Sequence, residues 1–515
     1  MLIVSFLQAV IAETLSRYTP KRLSPDIARW RNSERQFKRF LFPLPAMPAV
    51  REGPPIGIVI QPWVLTPLPW FMITVGVLFR SLGHPVVLLW DDLPFGPDSI
   101  SRRVMQKSLE RMLTALSPYL PFYRLSDSPP VDAASLDADI ERLATLNTTI
   151  RFRSEGEGSE RSAYRASILP TLRSTGEHLV SLFQHQEFSQ LVLGGGIYST
   201  SGLFLSAARQ RGIRVASLDS GQGILLFCTD GVAANLEDIP RAFHALEHDP
   251  GDAIMVAHAE LDRRMAGRDT FVSQAVSATG TAANLGALLP LNQSFDASAL
   301  GRHRVFCSQK EWITETVAWI LKHTSETVVV RQHPVERTRI HAGNDDYGAM
   351  LAQHFPGESR VQYVPGDAPI NTYDLIRHAK VTVPYVSTVG IEATLLGCPV
   401  VTQGRSHYAD LGFVWGAHSR EQYFEYLAAA LRSELRITDA MKKKASLAYY
   451  LTQCCNFYFA EFTPTSNDFD IWVTRSLESL LTSVDFLTLY EVLVDDVPCS
   501  LVRHRTRVAA LVGQA

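Results

Sequence analysis

The sequence lacks several signatures by which common enzyme classes are recognised. No Cys-X-X-Cys pair occurs among its six cysteines, so neither a zinc ribbon nor a thioredoxin-type motif is available. A P-loop motif and a nucleophile-elbow motif (Gly-X-Ser-X-Gly) are also absent, which argues against a P-loop NTPase and an α/β-hydrolase. The widely spaced cysteines instead indicate reduced thiols in a cytoplasm.

An excess of basic charge and a long apolar run are missing too. The 515 residues include 49 Lys and Arg against 52 Asp and Glu, so the overall charge does not favour a nucleic-acid partner. No stretch reaches about 18 uninterrupted apolar residues, and the apolar segment 1–12 is too short to span a bilayer. We therefore expect a cytoplasmic protein that is not an integral membrane protein.

The composition is that of a folded globular chain with several domains. Hydrophobic residues make up 46% and charged residues 20% of the sequence. At this length, two or three domains are expected. We predict a lead-in segment over 1–50, a first α/β domain over 51–284, a second over 285–420, and a helical tail over 421–515 that packs back on the domains.

The lead-in segment is locally basic and contains aromatic residues. One interpretation is a peripheral contact with the anionic surface of the inner membrane. The other is a solvated helix that docks on the first domain through its aromatic face. The residues concerned are Lys21, Arg22, Arg29, Arg31, Arg35, Lys38 and Arg39, with Trp30, Phe37 and Phe40 among them.

Strands and helices alternate in both halves of the sequence. In the first half, short apolar segments at 56–60, 85–90, 190–196 (a strand with a glycine turn) and 213–219 predict buried strands separated by helices. The pattern restarts at 287 and continues to about 404. Such alternation predicts two doubly wound parallel sheets. Ligands bind at the carboxyl ends of strands in such sheets, so polar residues there are candidates for the site.

The first candidate group follows the apolar strand around Val330. Pro334 disfavours a helical conformation for the residue before it, which holds His333 in an extended loop at the strand end. A histidine there can bind a phosphate or protonate a leaving phosphate, and Arg331 and Arg337 add anion-binding capacity. The alternative is a structural histidine flanked by surface arginines.

The second candidate group is a strand end followed by the start of a helix. Ser387 and Thr388 can cap the helix and bond phosphate oxygens, and Gly390 allows close approach of a ligand to the backbone. Glu392 is placed to accept hydrogen bonds from ribose or sugar hydroxyls. Ordinary helix capping, with a carboxylate that suits the helix dipole, is the alternative.

In the first half, Asp219 lies between an apolar strand and a glycine-containing turn. A carboxylate there can act as a base or a nucleophile, although Asp-Ser-Gly is also ordinary turn chemistry. Asp91 and Asp92, after an earlier strand, are further candidates for the catalytic carboxylate.

The order of these groups resembles the capsule polysaccharide biosynthesis family, which includes transferases that add 3-deoxy-manno-octulosonic acid (Kdo) from its CMP-activated form. The resemblance is densest over 328–336 and 378–401, with 408–412 as a further match. It implies a GT-B-like fold of two facing Rossmann-like domains. It also implies catalytic roles for Asp219 and His333, and donor binding by Arg331, His333, Pro334, Ser387, Thr388, Gly390 and Glu392.

The function that the resemblance implies is glycosyl transfer without a metal. The donor is a nucleotide-sugar, for which a CMP link is expected, and the acceptor is a surface polysaccharide or a lipid-linked saccharide. Alternatives with the same fold are a sugar-nucleotide epimerase, a polyol-phosphate transferase and a non-catalytic nucleotide-sugar-binding scaffold. A zinc-peptidase-like pattern at His244, Glu247 and His248 is set aside because Asp249-Pro250-Gly251 should break the required helix.

Overall fold

A computed structural model of the chain describes residues 25–44, 46–61, 63, 66–95, 99–221, 224–268, 285–337, 342–460 and 475–512. The chain forms two compact units, and each is built from segments that are not contiguous in sequence. The first contains residues 1–147, 159–238 and 457–515, and the second contains residues 148–158 and 239–456.

The described strands are short and are numbered here in chain order. They are β1 (Ile56–Ile60), β2 (Val86–Trp90), β3 (Phe122–Arg124), β4 (Gln190–Gly194), β5 (Arg214–Gly221), β6 (Ile224–Cys228), β7 (Leu285–Pro290), β8 (Val328–Arg331), β9 (Val361–Val364), β10 (Ala379–Thr382), β11 (Val401–Thr402), β12 (Trp415–Gly416) and β13 (Tyr458–Phe459).

The α-helices are numbered in the same way, and a π-helical segment follows the fourteenth of them at Tyr450–Asn456. They are α1 (Pro25–Leu41), α2 (Leu68–Ser81), α3 (Ile100–Leu116), α4 (Asp137–Phe152), α5 (Ser159–His185), α6 (Ser201–Gln210), α7 (Ile239–Leu246), α8 (Ala253–Met265), α9 (Gln309–His323), α10 (Tyr347–His354), α11 (Thr372–His378), α12 (Val389–Leu395), α13 (Arg420–Leu431), α14 (Asp439–Tyr449), α15 (Leu477–Leu481), α16 (Val484–Leu493) and α17 (Cys499–Val512).

The first unit is built on a seven-stranded sheet in the order β13-β6-β5-β4-β1-β2-β3. The pairs from β5 to β3 are parallel, whereas β6 and β13 are added antiparallel at one edge. The central strands β1, β2 and β4 are buried along their whole length, as their continuous apolar sequences predicted.

Helix α1 docks on the first unit through its aromatic residues. Trp30 and Phe37 are buried and stack on Trp70 of α2, with ring centroids 4.6 and 5.1 Å apart. The aromatic face of this helix therefore packs on the first unit. Its basic side chains are exposed on the other face, and they are those of Arg29, Arg31, Arg35, Lys38 and Arg39.

The C-terminal part of the chain completes the first unit. Tyr458 of β13 pairs with Leu225 of β6, and α16 packs on α2. There the ring of Phe79 contacts Phe486 and Tyr490, with centroids 6.2 and 6.0 Å apart. These contacts explain why residues after 457 belong to the first unit and not to a separate tail.

The second unit contains a four-stranded parallel sheet in the order β10-β7-β8-β9, and β11 and β12 form a separate parallel pair. Its core includes Trp312 of α9 and Tyr423 of α13, whose hydroxyl accepts a hydrogen bond from the indole N–H at 3.0 Å. The predicted α/β class, with a mainly parallel sheet in each half, is confirmed.

The units differ from the predicted domain boundaries at their edges. The second unit begins its main segment at residue 239, not 285, because α7 and α8 pack with α14 and the π-helical segment. His258 of α8, for example, lies 3.0 Å from the hydroxyl of Ser446. Among the described residues, no helix is long and apolar enough to cross a membrane.

Candidate functional site

A cleft opens within the second unit at the carboxyl ends of β7 and β8. Two guanidinium groups and one carboxylate line it, which favours an anionic ligand. The lining residues are Arg264, Pro290, Leu291, Arg331, Gln332, His333, Pro334, Thr372, Tyr373, Ser387, Thr388, Val389 and Glu392.

His333 lines this cleft as a neutral imidazole. Its Nδ1 accepts a hydrogen bond from the backbone N–H of Val335 at 3.2 Å, so the ring proton of the neutral form is on Nε2. Burial lowers the pKa of His333 to about 4; the negative charge of Asp296 opposes this shift, whereas the positive charges of Arg264 and Arg331 add to it. The ring can therefore donate one hydrogen bond from Nε2 at neutral pH.

Arg331 is the last residue of β8 and is 2% exposed. Its guanidinium donates hydrogen bonds to the carbonyl oxygens of Pro365 and, at 3.2 Å, of Ile370. Burial lowers its pKa to about 10, which leaves it charged at neutral pH. The residue thus holds the 365–370 loop in place as well as lining the cleft.

Ser387 and Thr388 lie at the start of α12, as the sequence predicted. The Ser387 hydroxyl accepts a long bond of 3.4 Å from the N–H of Val389, whereas Thr388 is the N-cap residue and its side chain makes no capping bond within the described part of the chain. Pro334 also lines the cleft, and it opens a short 3-10 turn. All four predicted residues of the two motifs therefore meet at one cleft.

The lack of a side chain at Gly390 is explained by packing. A Cβ atom at this position would lie 2.3 Å from the hydroxyl oxygen of Tyr408 and 2.8 Å from its Cζ. The buried Tyr408 ring occupies that space, and its hydroxyl donates to the carbonyl of Ser387 at 2.6 Å. Gly390 is not among the residues that line the cleft, and its contact with the donor stays a prediction.

Glu392 of α12 is 2% exposed and lines the cleft beside Arg264 of α8. The Nε of Arg264 lies 3.4 Å from Oε1 of Glu392, and its Nη1 donates to Oε1 of Gln453 at 3.0 Å. The carboxylate is thus charge-compensated in the buried site. A ligand hydroxyl that reaches Glu392 would be close to this guanidinium.

Three polar lining residues, Arg264, Thr372 and Tyr373, were not predicted from the sequence. Arg264 lies near the end of helix α8, in a polar, alanine-rich segment, and belongs to no recognised motif. Thr372 and Tyr373 begin α11 directly after its N-cap Asn371, whose Oδ1 accepts a bond from the N–H of Tyr373 at 2.9 Å. The Asn-Thr pair at a helix start was the available signal for this position.

The candidate carboxylates of the first unit lie in three different environments. Asp219 is inside β5 opposite Leu226, because the strand continues to Gly221 and does not end in a turn after Asp219. Asp91 is fully buried and accepts a hydrogen bond from the Thr200 hydroxyl. Burial raises the pKa of Asp91 to about 7. Asp92 accepts bonds from Ser126, one of them from its backbone N–H at 3.0 Å.

The zinc-peptidase pattern is not formed. Helix α7 ends at Leu246, before Glu247 and His248, and the His248 side chain is 93% exposed. The sequence before Asp249-Pro250-Gly251 therefore stops the helix as expected. In the part of the chain that the structure describes, no three His, Cys, Asp or Glu side chains form a group that could hold a metal ion.

The cleft coincides with a region that matches a known family. Residues 258–457 match the family model described as capsule polysaccharide biosynthesis protein. This part of the chain is similar to that family. The capsule-family region, as we call residues 258–457, contains both the His333-Pro334 and the Ser387-Thr388 motifs, so the resemblance seen in the sequence is confirmed. No curated protein matches the chain.

Several solved structures are similar to this chain at low levels. The β-Kdo 2,4 transferase KpsC of Thermosulfurimonas dismutans has 17% identity and a TM-score of 0.34, with 50% of this chain and 79% of that chain covered. The UDP-GlcNAc 2-epimerase of Neisseria meningitidis has 13% identity and a TM-score of 0.24, with 76% and 97% covered. The fold assignment rests on the strand order of the two units and not on these values.

Proposed function

We propose that this chain is a glycosyltransferase of surface polysaccharide synthesis that binds its nucleotide-sugar donor in the cleft of the second unit. The observation that carries the proposal is the convergence of His333, Ser387, Thr388 and two arginines on one cleft inside the capsule-family region. Such groups suit a phosphate that leaves during transfer, because they donate hydrogen bonds or supply positive charge.

His333 has a defined part in this proposal. The neutral ring carries its proton on Nε2, and a bound phosphate anion would favour the doubly protonated ring and so raise the pKa of His333. The histidine can then hold a proton beside the leaving phosphate oxygen. Arg264 and Arg331 supply permanent charge to the same cleft, so no metal ion is required for this step.

The finer assignments come from the resemblance and from the first unit. We propose a CMP-linked donor with Kdo or a related acidic sugar, and a polysaccharide or glycolipid acceptor. Asp219 is the proposed catalytic carboxylate of the first unit. A cytoplasmic location with peripheral contact at the inner membrane is supported by the exposed basic face of α1, which would approach an anionic surface electrostatically.

The test of donor binding is a calorimetric titration of the wild type with CMP, UDP, GDP and CDP. We expect CMP to bind, and we expect His333→Ala and Ser387→Ala to weaken it about tenfold or more, since each loses a charge-assisted hydrogen bond of about 1.5–3 kcal/mol. The matched controls are His354→Ala and Ser325→Ala, which alter exposed residues of the second unit.

The outcomes separate the proposals. If a diphosphate nucleotide binds and CMP does not, the proposal of a donor cleft stands, but the proposal of a CMP-linked donor is wrong. Binding of no nucleotide would reject the donor cleft altogether. With a bound donor, Asp219→Asn should abolish transfer to the acceptor while it leaves donor affinity unchanged, and full activity of this variant would exclude Asp219 from catalysis.

A further inference from the structure

One short segment of the second unit lies, in sequence, between two stretches of the first unit. We call this segment, residues 148–158, the strap. The buried carboxylate of Asp345 holds it by accepting hydrogen bonds from the Ser154 hydroxyl at 2.6 Å and from the Glu155 N–H at 3.1 Å. Nζ of Lys310 lies 2.6 Å from the same carboxylate and balances its charge. These bonds fix the strap in the second unit, and they fix the backbone of Glu155 with it.

The side-chain carboxylate of Glu155 bonds to two further parts of the second unit. Its Oε2 accepts a hydrogen bond at 2.7 Å from the backbone N–H of Gln309, the first residue of α9. Its Oε1 lies 3.2 Å from Nε2 of His303, and the imidazole is the donor because a carboxylate only accepts. The side chains of Glu155 and His303 are 16% and 13% exposed, so water competes little for these bonds.

One route leads from Glu155 through Gln309 to the wall of the cleft. The fully buried side chain of Gln309 donates from Nε2 to the carbonyl of Asn292 at 3.0 Å. Asn292 directly follows Leu291, which lines the cleft. Oδ1 of Asn292 accepts a hydrogen bond at 3.3 Å from the N–H of Val386. This route therefore connects the strap with the loop after β7 and with the segment before α12.

The other route leads from Glu155 through His303. The imidazole of His303 stacks on the ring of Tyr385, with centroids 4.4 Å apart and planes at 24°. Tyr385 is 1% exposed and precedes Ser387 of the cleft by two residues. The two routes thus end at adjacent residues, directly before the Ser387-Thr388 motif.

Two observations distinguish this role from ligand contact and from ordinary helix capping. Glu155 is not among the residues that line the cleft, so its effect on a ligand is indirect. Helix α9 already has an N-cap in Ser308, whose hydroxyl accepts a hydrogen bond from the N–H of Glu311 at 3.1 Å. The geometry therefore favours a positioning role for the strap carboxylate.

We propose that Glu155 is a positioning residue of the donor cleft, which fixes the location of Ser387 and Thr388 relative to the bound phosphate. It acts by holding the preceding residues Tyr385 and Val386 through two hydrogen-bonded routes. The inference rests on the proposed function, since the phosphate belongs to the nucleotide-sugar donor.

The first measurement uses the full chain without ligand and follows backbone hydrogen exchange by mass spectrometry. In Glu155→Ala, peptides over 384–389 should exchange about three- to tenfold faster than in the wild type, because both routes to this segment are cut. The matched control is Glu326→Ala. Glu326 is 22% exposed and pairs with Lys380 at 2.6 Å near the amino end of β10, so this variant also loses a half-buried carboxylate but should not alter exchange over 384–389.

The second measurement is calorimetric titration of the same proteins with CMP, UDP, GDP and CDP. We expect Glu155→Ala to weaken the nucleotide that binds the wild type about three- to tenfold, and Glu326→Ala to leave it unchanged. Glu155→Gln should restore most of the affinity. Its amide oxygen can accept from the Gln309 N–H, and its amide nitrogen can donate to His303.

Several results would overturn the proposal. One is wild-type exchange over 384–389 in Glu155→Ala, and another is unchanged nucleotide affinity despite faster exchange. Faster exchange throughout the second unit would show that Glu155 supports the fold in general, and a glutamine variant as weak as alanine would reject the hydrogen bonds as the cause. If the wild type binds no nucleotide, the donor proposal fails, whereas the exchange measurement still decides whether Glu155 fixes this segment.

Discussion

Asp91 in the first unit and His333 in the second both follow a parallel strand, and burial disfavours the charged form of both groups. Asp91 is held by a hydroxyl and is completely enclosed, whereas His333 lines a cleft together with Arg264 and Arg331. Desolvation thus favours the protonated carboxyl group of Asp91 in the first unit and the neutral imidazole of His333 in the second. Of the two positions, that of His333 favours an anionic ligand, because two guanidinium groups line the same cleft.

The strongest test of the charged cleft in the second unit is removal of the guanidinium beside Glu392. Arg264→Met should lower the free energy of unfolding by about 3–5 kcal/mol, because it leaves a buried carboxylate without its ion-pair partner. Denaturation by urea measures the effect. The double variant Arg264→Met/Glu392→Gln should recover most of the loss, and near-wild-type stability of the single variant would contradict the ion pair.

In the first unit, Asp91→Asn tests whether burial favours the protonated form of the Asp91 carboxyl group. The folded-state pKa of about 7 lies above the ordinary value of 3.8, so the unfolded chain ionises first and stability falls as pH rises from about 4 to 7. The asparagine variant lacks this loss. We therefore expect it to be more stable than the wild type at pH 7 by about 2–4 kcal/mol, with no such gain at pH 4.

A pH-independent difference between the two proteins would contradict the protonated state of Asp91. Thr200→Val is the companion measurement, since it removes the hydroxyl that bonds to Asp91 and should not mimic the asparagine variant.

His333→Gln should show the opposite pH dependence. The folded-state pKa of about 4 lies below the ordinary value of 6.5, so the unfolded chain binds the extra proton and wild-type stability falls as pH falls from about 6.5 to 4. After discounting for the partial exposure of the ring, the difference should be about 1–2 kcal/mol. Urea denaturation of both proteins at pH 7 and pH 4.5 measures it, and equal slopes would contradict the neutral ring.

The smallest expected effect concerns Gly390 and distinguishes packing from ligand contact at the edge of the cleft. Gly390→Ala should destabilise the fold by about 1–2 kcal/mol through overpacking against Tyr408. Tyr408→Phe in the same chain removes the closest atom and should restore part of this loss. An alanine variant of unchanged stability but lower nucleotide affinity would instead support the original prediction of a ligand contact.

The sequence allowed much of the parallel architecture and half of the cleft to be predicted. Continuous apolar strands such as β1 and β4 are recognisable because they are buried on both faces. His333 and Ser387 were placed at one site because the carboxyl ends of neighbouring parallel strands meet at one edge. These inferences need only local patterns and one rule of topology.

The remaining parts depend on contacts between distant segments. Arg264 reaches the cleft only because α8 packs with α14 and the π-helical segment, and Tyr408 fills the space beside Gly390 only through tertiary packing. The two-residue strand β13 is too short to show a period of two, so its return to the first sheet was not predictable from the pattern. Contacts of this kind between distant segments cannot be recognised from local sequence patterns.

The return of residues 457–512 to the first unit has a consequence for biogenesis. During synthesis on the ribosome, residues 25–238 emerge well before the strand and helices that cover α2 and extend the sheet. The second unit can therefore acquire its parallel sheet while the first still exposes apolar surface and an unpaired edge at β6. Folding intermediates of this kind are prone to aggregation and attract chaperones. The first unit to be translated is the last to be completed.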